Sequence, residues 1–256
     1  MLRSILSRLS QPGASPDGLP RPDAPVCIIG DIHGRADLLD AMFARIAAEP
    51  EAARARIVTL GDMIDRGPDS AQVLSLLHAA QRENPARMVC LMGNHERMML
   101  DFLISPDVHT VRWLNAGGAE TLLSFGITPP DPGHPDPGVL DELRMELARA
   151  IGPDLLAWVD ARPLVWRDGR IAATHAGADP YHPLERQSPD ALLWGHPRFA
   201  TAPRRDGVWI AYGHWIVEQP FAGEGRIALD TGAFNTGVLS AAWIDRKGLK
   251  FLQVQR

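Results

Sequence analysis

Thiols, lysine and long apolar runs are all scarce in this 256-residue chain. Two cysteines, Cys27 and Cys90, cannot build a disulfide framework or a thiolate zinc site. Each sits in a short apolar run, so both read as buried, reduced thiols, which suits a reducing cytoplasm. Lysine occurs only as Lys247 and Lys250; all other basic residues are arginine, a pattern that coding bias explains and that carries no function. Basic residues number 26 against 31 acidic ones, a net charge of −5, which excludes a broad cationic surface and with it a nucleic-acid partner. No run of about 18 apolar residues is present, which excludes a membrane-spanning helix and argues against a membrane partner. Met1–Ser10 interleaves basic and apolar residues without the continuous apolar core of a secretory signal, and reads as a frayed end. What the chain does have is a hydrophobic fraction of 45%, too high for disorder, and length enough for a large core.

Gln11 to Pro25 is rich in Pro, Gly, Ser and Asp and reads as a linker. Residues 1–24 are therefore expected to be a flexible N-terminal segment, with one domain over 25–256. One unit then recurs three times. Pro25–Ile29 ends in Gly30-Asp31, Arg56–Leu60 in Gly61-Asp62, and Met88–Met92 in Gly93-Asn94. Each apolar run has the length of a fully buried strand. Helical periodicity follows the first two, through Leu38, Leu39, Met42 and Phe43, then Val73, Leu74, Leu76 and Leu77, with Pro68 suited to the first turn of the second helix. Strand, polar loop, helix, repeated, predicts parallel βαβ units. Further helices are expected over Trp113–Gly126, Leu140–Leu147 and Pro153–Val159, with an exposed loop from Pro129 to Gly138. Four later strand signals, Arg170–Thr174, Gly207–Tyr212, Arg226–Leu229 and Val238–Ile244, suggest a second, mixed sheet. The expected fold class is α/β, a two-sheet sandwich flanked by helices.

Loops from neighbouring parallel strands converge at the strands' carboxyl ends, where ligands bind. There lie Asp31 and His33, then Asp62, Asp65 and Arg66, then Asn94, His95 and Glu96. Two later strands stop at a histidine, His175 and His214. Carboxylates, imidazoles and one amide, without thiolate, form a donor set for two hard-to-borderline divalent ions. Without such ions, so many charges meeting in one place would be costly to bury.

Gly30-Asp31-Ile32-His33-Gly34, Gly61-Asp62-Met63-Ile64-Asp65-Arg66-Gly67 and Gly93-Asn94-His95-Glu96 resemble the three signature motifs of the calcineurin-like metallophosphoesterases. The Asp-Arg-Gly ending of the second is similar to the bacterial phosphoprotein phosphatase branch, as are Trp113–Gly118 and Leu192-Leu193-Trp194. The resemblance runs from about Ala24 to Ile244. It implies that Asp31 and His33 bind a first metal, that Asp62 bridges, and that Asn94, His175 and His214 bind a second. It implies His95 as general acid, Asp65 as the carboxylate that orients it, and Arg66 and Asn94 as phosphate contacts. The two ions would be manganese in the first place, with iron or zinc also suited. A water between them would attack phosphorus in line, with no phosphoenzyme.

Two departures stand out. His196 occupies the place where bacterial relatives carry a second phosphate-binding arginine, so His196 or nearby Arg198 would have to contact phosphate, with Arg204 or Arg205 as further substitutes. Trp215 follows His214 where threonine is common. Glu96 reads as a carboxylate supporting the loops, and Met88, Met92, Met98 and Met99 as core. Asp230-Thr231-Gly232 matches the aspartic-protease pattern, but that chemistry needs two such aspartates. The expected function is a metal-dependent phosphatase acting on phosphoproteins or small phosphoesters. The alternatives are a hydrolase of diadenosine tetraphosphate or another nucleotide polyphosphate, and an impaired protein that binds phosphorylated partners. No residue pattern speaks to the oligomeric state.

Overall fold

The computed structural model describes residues 18–130 and 137–256. The three repeated units fold as read. Strands β1 (Val26–Ile29), β2 (Arg56–Thr59) and β3 (Met88–Cys90) are each followed by a helix: α1 (Ala36–Ala47), α2 (Ser70–Glu83) and α3 (Asn94–Ile104). β1 pairs in parallel with β2, Cys27 opposite Ile57, and β2 pairs in parallel with β3. Side chains alternate across a strand. Val26 and Ile28 therefore face a layer with Val58, Leu60, Trp209 and Ile227, between the two sheets. Cys27 and Ile29 face the other way, under Leu38, Leu39 and Met42 of α1 and Val73, Leu74 and Leu77 of α2. Burial on both faces explains the apolar residues that dominate these strands. Pro68 stands ahead of α2, whose N-cap is Asp69, rather than inside its first turn.

The expected helix over 113–126 is two helices, α4 (Pro106–Trp113) and α5 (Ala119–Ser124), joined by a π turn at Leu114–Gly118. Leu140–Leu147 lies inside α6 (Pro137–Ile151), and Pro153–Val159 within α7 (Pro153–Asp160). Most of the 129–138 loop, like residues 1–17 of the N-terminal segment, lies outside the described residues.

The second sheet holds β4 (Val165–Asp168), β5 (Ile171–Thr174), β6 (Trp209–Tyr212), β7 (Phe221–Gly223) and β8 (Arg226–Ala228), in the order β4-β5-β6-β8-β7. It is mixed: β5, β6 and β8 run parallel, and β4 and β7 are antiparallel edges. Short helices α8 (Pro189–Leu193) and α9 (Ala233–Thr236) follow β5 and β8.

One strand is placed differently from its sequence reading. β9 (Val238–Asp245) belongs to the first sheet, antiparallel to β1 with Trp243 opposite Cys27, and β10 (Gly248–Gln255) covers its outer edge. The first sheet thus runs β10-β9-β1-β2-β3. β1 is fully buried, so its second edge needs a partner to satisfy its backbone. β9 supplies one with residues buried on both sides, Trp243 toward the helices and Ile244 toward the other sheet. Cys27 and Cys90 are buried and unpaired, and burial pushes the Cys90 thiol up to about 12. The four methionines are core, as expected. No described helix is long and apolar enough to cross a membrane.

Candidate active site

Two parallel triplets, β1-β2-β3 and β5-β6-β8, bring their carboxyl ends to one rim. Asp31 and His33 follow β1; Asp62, Asp65 and Arg66 follow β2; Asn94, His95 and Glu96 open α3 after β3. His175 follows β5 directly, His214 follows β6, and Asp230 follows β8. The loops that carry them are bent hard. Of seven non-glycine residues with left-handed φ among those described, five are His33, Asp62, Asp65, Arg66 and His214. Such backbone persists only where surrounding contacts impose it, and it gathers at functional sites.

Asp62 is the centre. Its carboxylate lies 3.5 Å from His33 Nε2 and 3.4 Å from His175 Nε2. Two potential metal-ligating groups share it, His33–Asp62–His95 and Asp62–His175–His214, the donor atoms of each within 4.8 Å of one another. Backbone carbonyls decide the imidazole tautomers. His33 Nδ1 donates to Ile64 O at 2.8 Å and His175 Nδ1 to Leu60 O at 2.9 Å, so each Nε2 presents a lone pair to the pocket. His175 Nε2 and His214 Nδ1 then meet Asn94 Oδ1 at 2.7 and 2.8 Å. A lone pair on His175 facing an amide oxygen is repulsive, and a cation held by both atoms relieves that repulsion. Asp31 tells the same story: it is buried, its Oδ2 accepts the His214 N–H at 2.8 Å, and its Oδ1 has no hydrogen-bond partner. This nitrogen and oxygen donor set fits divalent metal.

The calcineurin-like phosphoesterase family model matches residues 24–218. The chain belongs to that family. Its members are phosphoester hydrolases built around a pair of divalent metals, and the donor set described above suits such a pair. Among curated relatives, an asymmetrical bis(5'-nucleosyl)-tetraphosphatase of Bacillus subtilis is 26% identical over 227 residues, covering 80% of this chain and 84% of that one. Serine/threonine-protein phosphatase 2 of Salmonella typhimurium is also 26% identical over 227 residues, covering 84% and 90%. A solved chain provisionally described as a diadenosine tetraphosphatase shares the fold with a TM-score of 0.63 at 20% identity, covering 93% of this chain and 96% of that one.

Beside this donor set stands a braced imidazole–carboxylate pair. Asp65 Oδ2 accepts from His95 Nδ1 at 2.7 Å. The same carboxylate accepts from Thr121 Oγ1 at 2.6 Å and from the Trp113 indole at 3.1 Å, so it is held from three directions. Burial alone would lower the His95 pKa, but Asp62 and Asp65 outweigh it and raise the value. The neighbouring ligands behave oppositely. Burial lowers His33 to about 3 and His214 to about 4, keeping both unprotonated and able to bind metal. Burial raises Asp31, helped by the charges of Asp230 and Asp62, while the imidazoles His175, His95 and His33 overcome burial to lower Asp62.

Arg66 bridges the two sides of the first cluster, its guanidinium 3.1 Å from His33 Nε2 and from His95 Nε2. It must turn from His33 before that nitrogen takes a metal. Its backbone is set by the π turn: Arg66 N donates to Gly117 O at 3.1 Å, and a Cβ at Gly117 would meet Arg66 Cγ at 2.7 Å. Only glycine, here at φ 114°, permits that approach. Glu96 is the loop support it was read as. It accepts N–H bonds from Asp62, Met63, Ile64 and Gly93, at 2.8–3.3 Å.

His196 and Arg198 make contacts of their own. His196 Nε2 lies 3.8 Å from Asp179, its Nδ1 accepts the Arg198 N–H at 3.2 Å, and Arg198 is exposed. Arg204 is committed to Asp206 and to the carbonyls of Asp179 and His182. Sequence reasoning missed Trp113 and Thr121 as the bracing of Asp65, and Asp230 as a buried carboxylate raised to about 6, chiefly by burial. The Asp-Thr-Gly pattern drew attention to Asp230 for the wrong chemistry: its Oδ1 accepts the Gly232 N–H in a turn beside the site.

Proposed function

We propose that this phosphoesterase cleaves phosphate monoesters with two divalent cations, held by Asp31, His33 and Asp62 on one side and by Asp62, Asn94, His175 and His214 on the other. The observation that carries this is Asp62 shared between two groups of nitrogen and oxygen donors. Manganese is the first choice, with iron and zinc suited to the same nitrogen and oxygen set. When bound, the ions neutralise the phosphate and lower the pKa of an attacking water. Arg66 presents a planar fork to the phosphate oxygens, with Asn94 as a second contact. His95 gives a proton from Nε2 to the leaving oxygen while Asp65 retains the Nδ1–H. The buried, unpaired Cys27 and Cys90 suit a cytoplasmic setting.

Phosphoserine and phosphothreonine proteins are the first substrate reading, supported by the Asp65-Arg66-Gly67 motif and by a relative named as a serine/threonine phosphatase. Nucleotide polyphosphates are the second, supported by a relative named for that activity and by a groove beside His214 that carries Arg112 and Trp194. Turnover of para-nitrophenyl phosphate, phosphopeptides and diadenosine tetraphosphate should be measured with added manganese, iron or zinc. Metal-dependent turnover lost to chelator is the expected result; turnover indifferent to chelation would defeat the reading.

A further inference from the structure

A groove of about 470 Å³ opens on the second-sheet side of the site, lined by Arg112, Ser188, Asp190, Trp194 and His196 among others. Its floor joins the metal ligands: the Trp194 ring stands edge-on to the His214 ring at 6.4 Å. Arg112 lies over the same ring, its guanidinium 4.2 Å from the Trp194 ring centre. No ion pair engages Arg112 among the described residues, in contrast to Arg204, which is tied to Asp206. Trp215 continues the aromatic surface. It is 51% exposed, its ring packs against His214 at 4.9 Å, and a Cβ on groove residue Gly195 would strike it at 2.8 Å.

Arg66 thus stands against His33 and His95, and Arg112 against the Trp194 ring that packs on His214. Arg112 lies one aromatic ring farther out than the ligands. From there it would meet the group attached to a metal-held phosphate rather than that phosphate itself. We propose that Arg112, stacked on Trp194, binds the second phosphate of a nucleoside polyphosphate, with the exposed Trp215 face available to its base. A planar, unpaired guanidinium matches phosphate oxygens, and indole faces stack on any base. The inference rests on the nucleotide-polyphosphate reading above, and selects it through a residue outside the signature motifs. It also accounts for the missing arginine at His196, since the outer cation comes from α4 instead.

The test is calorimetric binding of ADP, AMP and orthophosphate, each with saturating manganese, to the manganese-loaded wild-type protein and to Arg112→Ala and Arg112→Lys. With the terminal phosphate on the metals, only ADP has a second phosphate to offer Arg112. ADP should bind the wild type more tightly than AMP. Arg112→Ala should remove that preference, a loss of about tenfold or more for ADP, with orthophosphate unchanged and Arg112→Lys in between. Asp190→Asn, which takes a carboxylate out of the groove, should tighten ADP binding. An ADP preference untouched by Arg112→Ala overturns the proposal. So does an equal loss of orthophosphate, or a loss seen only with an acidic phosphoserine peptide. If the expected binding pattern accompanies a wild type that cleaves no phosphoester, the proposed function fails and this inference stands.

Discussion

The two sheets contribute to the rim in different ways. From the first sheet come Asp31, His33, Asp62, Asp65, Arg66 and His95, on loops cross-braced by buried partners. Glu96 collects four backbone N–H groups there, and Trp113 and Thr121 grip Asp65. From the second come His175 and His214, and beyond them an open wall of Trp194, His196 and Trp215, with Arg112 reaching over from α4. Four of the five strained backbones at the site lie on the first side. Rigid loops suit chemistry, which needs donors held in place before reaction. Open loops suit choice of substrate. The family's motifs fall on the rigid half and the departures from them, at His196 and Trp215, on the open half.

The comparison can be broken at its hinge first. Asp62→Asn removes the ligand shared by both groups, so bound metal should fall and turnover should drop by more than about a thousandfold. Two metals and near-normal rates in that variant would end the two-cluster view. His95→Asn should keep the metals, measured by elemental analysis, and lose about 10²–10⁴ in rate on substrates with poor leaving groups. Loss of metal in step with rate would make His95 a ligand, which its place in the first group leaves geometrically open.

The Asp65–His95 pair sharpens the contrast through pH. The His95 pKa is raised against burial by Asp62 and Asp65, so the acid form is present below that raised value and is lost as pH rises through it. Rates on poor leaving groups should therefore fall on the alkaline side. Asp65→Asn removes one of the two raising charges and should move that limb to lower pH; a limb that stays put would assign the proton to another group. The smallest effect belongs to the open half. Trp215→Thr should leave para-nitrophenyl phosphate turnover within a few-fold while changing KM for larger substrates. A loss comparable to that of His95→Asn would erase the division between the halves.

Interior strands and ligand loops were readable from the residues because burial on both faces forces continuous apolar runs, and metal chemistry forces a narrow choice of donors. The six interior strands, β9, β1, β2, β5, β6 and β8, are each centred on apolar residues, though β2 and β8 open on an arginine. The strands that escaped notice, β4, β7 and β10, are all edges, paired on one side and half open to solvent, so their residues follow no strict pattern. Which sheet would take β9 was not written in its composition. An apolar run satisfies any buried edge, and only assembly shows that β1 has one to fill. The same holds around the site. Asp65 and His95 announce themselves by motif, but Trp113, Thr121 and Arg112 lie far along the chain, and nothing local marks them as neighbours of Asp65 or His214. Residue type is a property of sequence; proximity between distant residues is a product of packing, and at this rim packing decided which cation stands beside the outer wall.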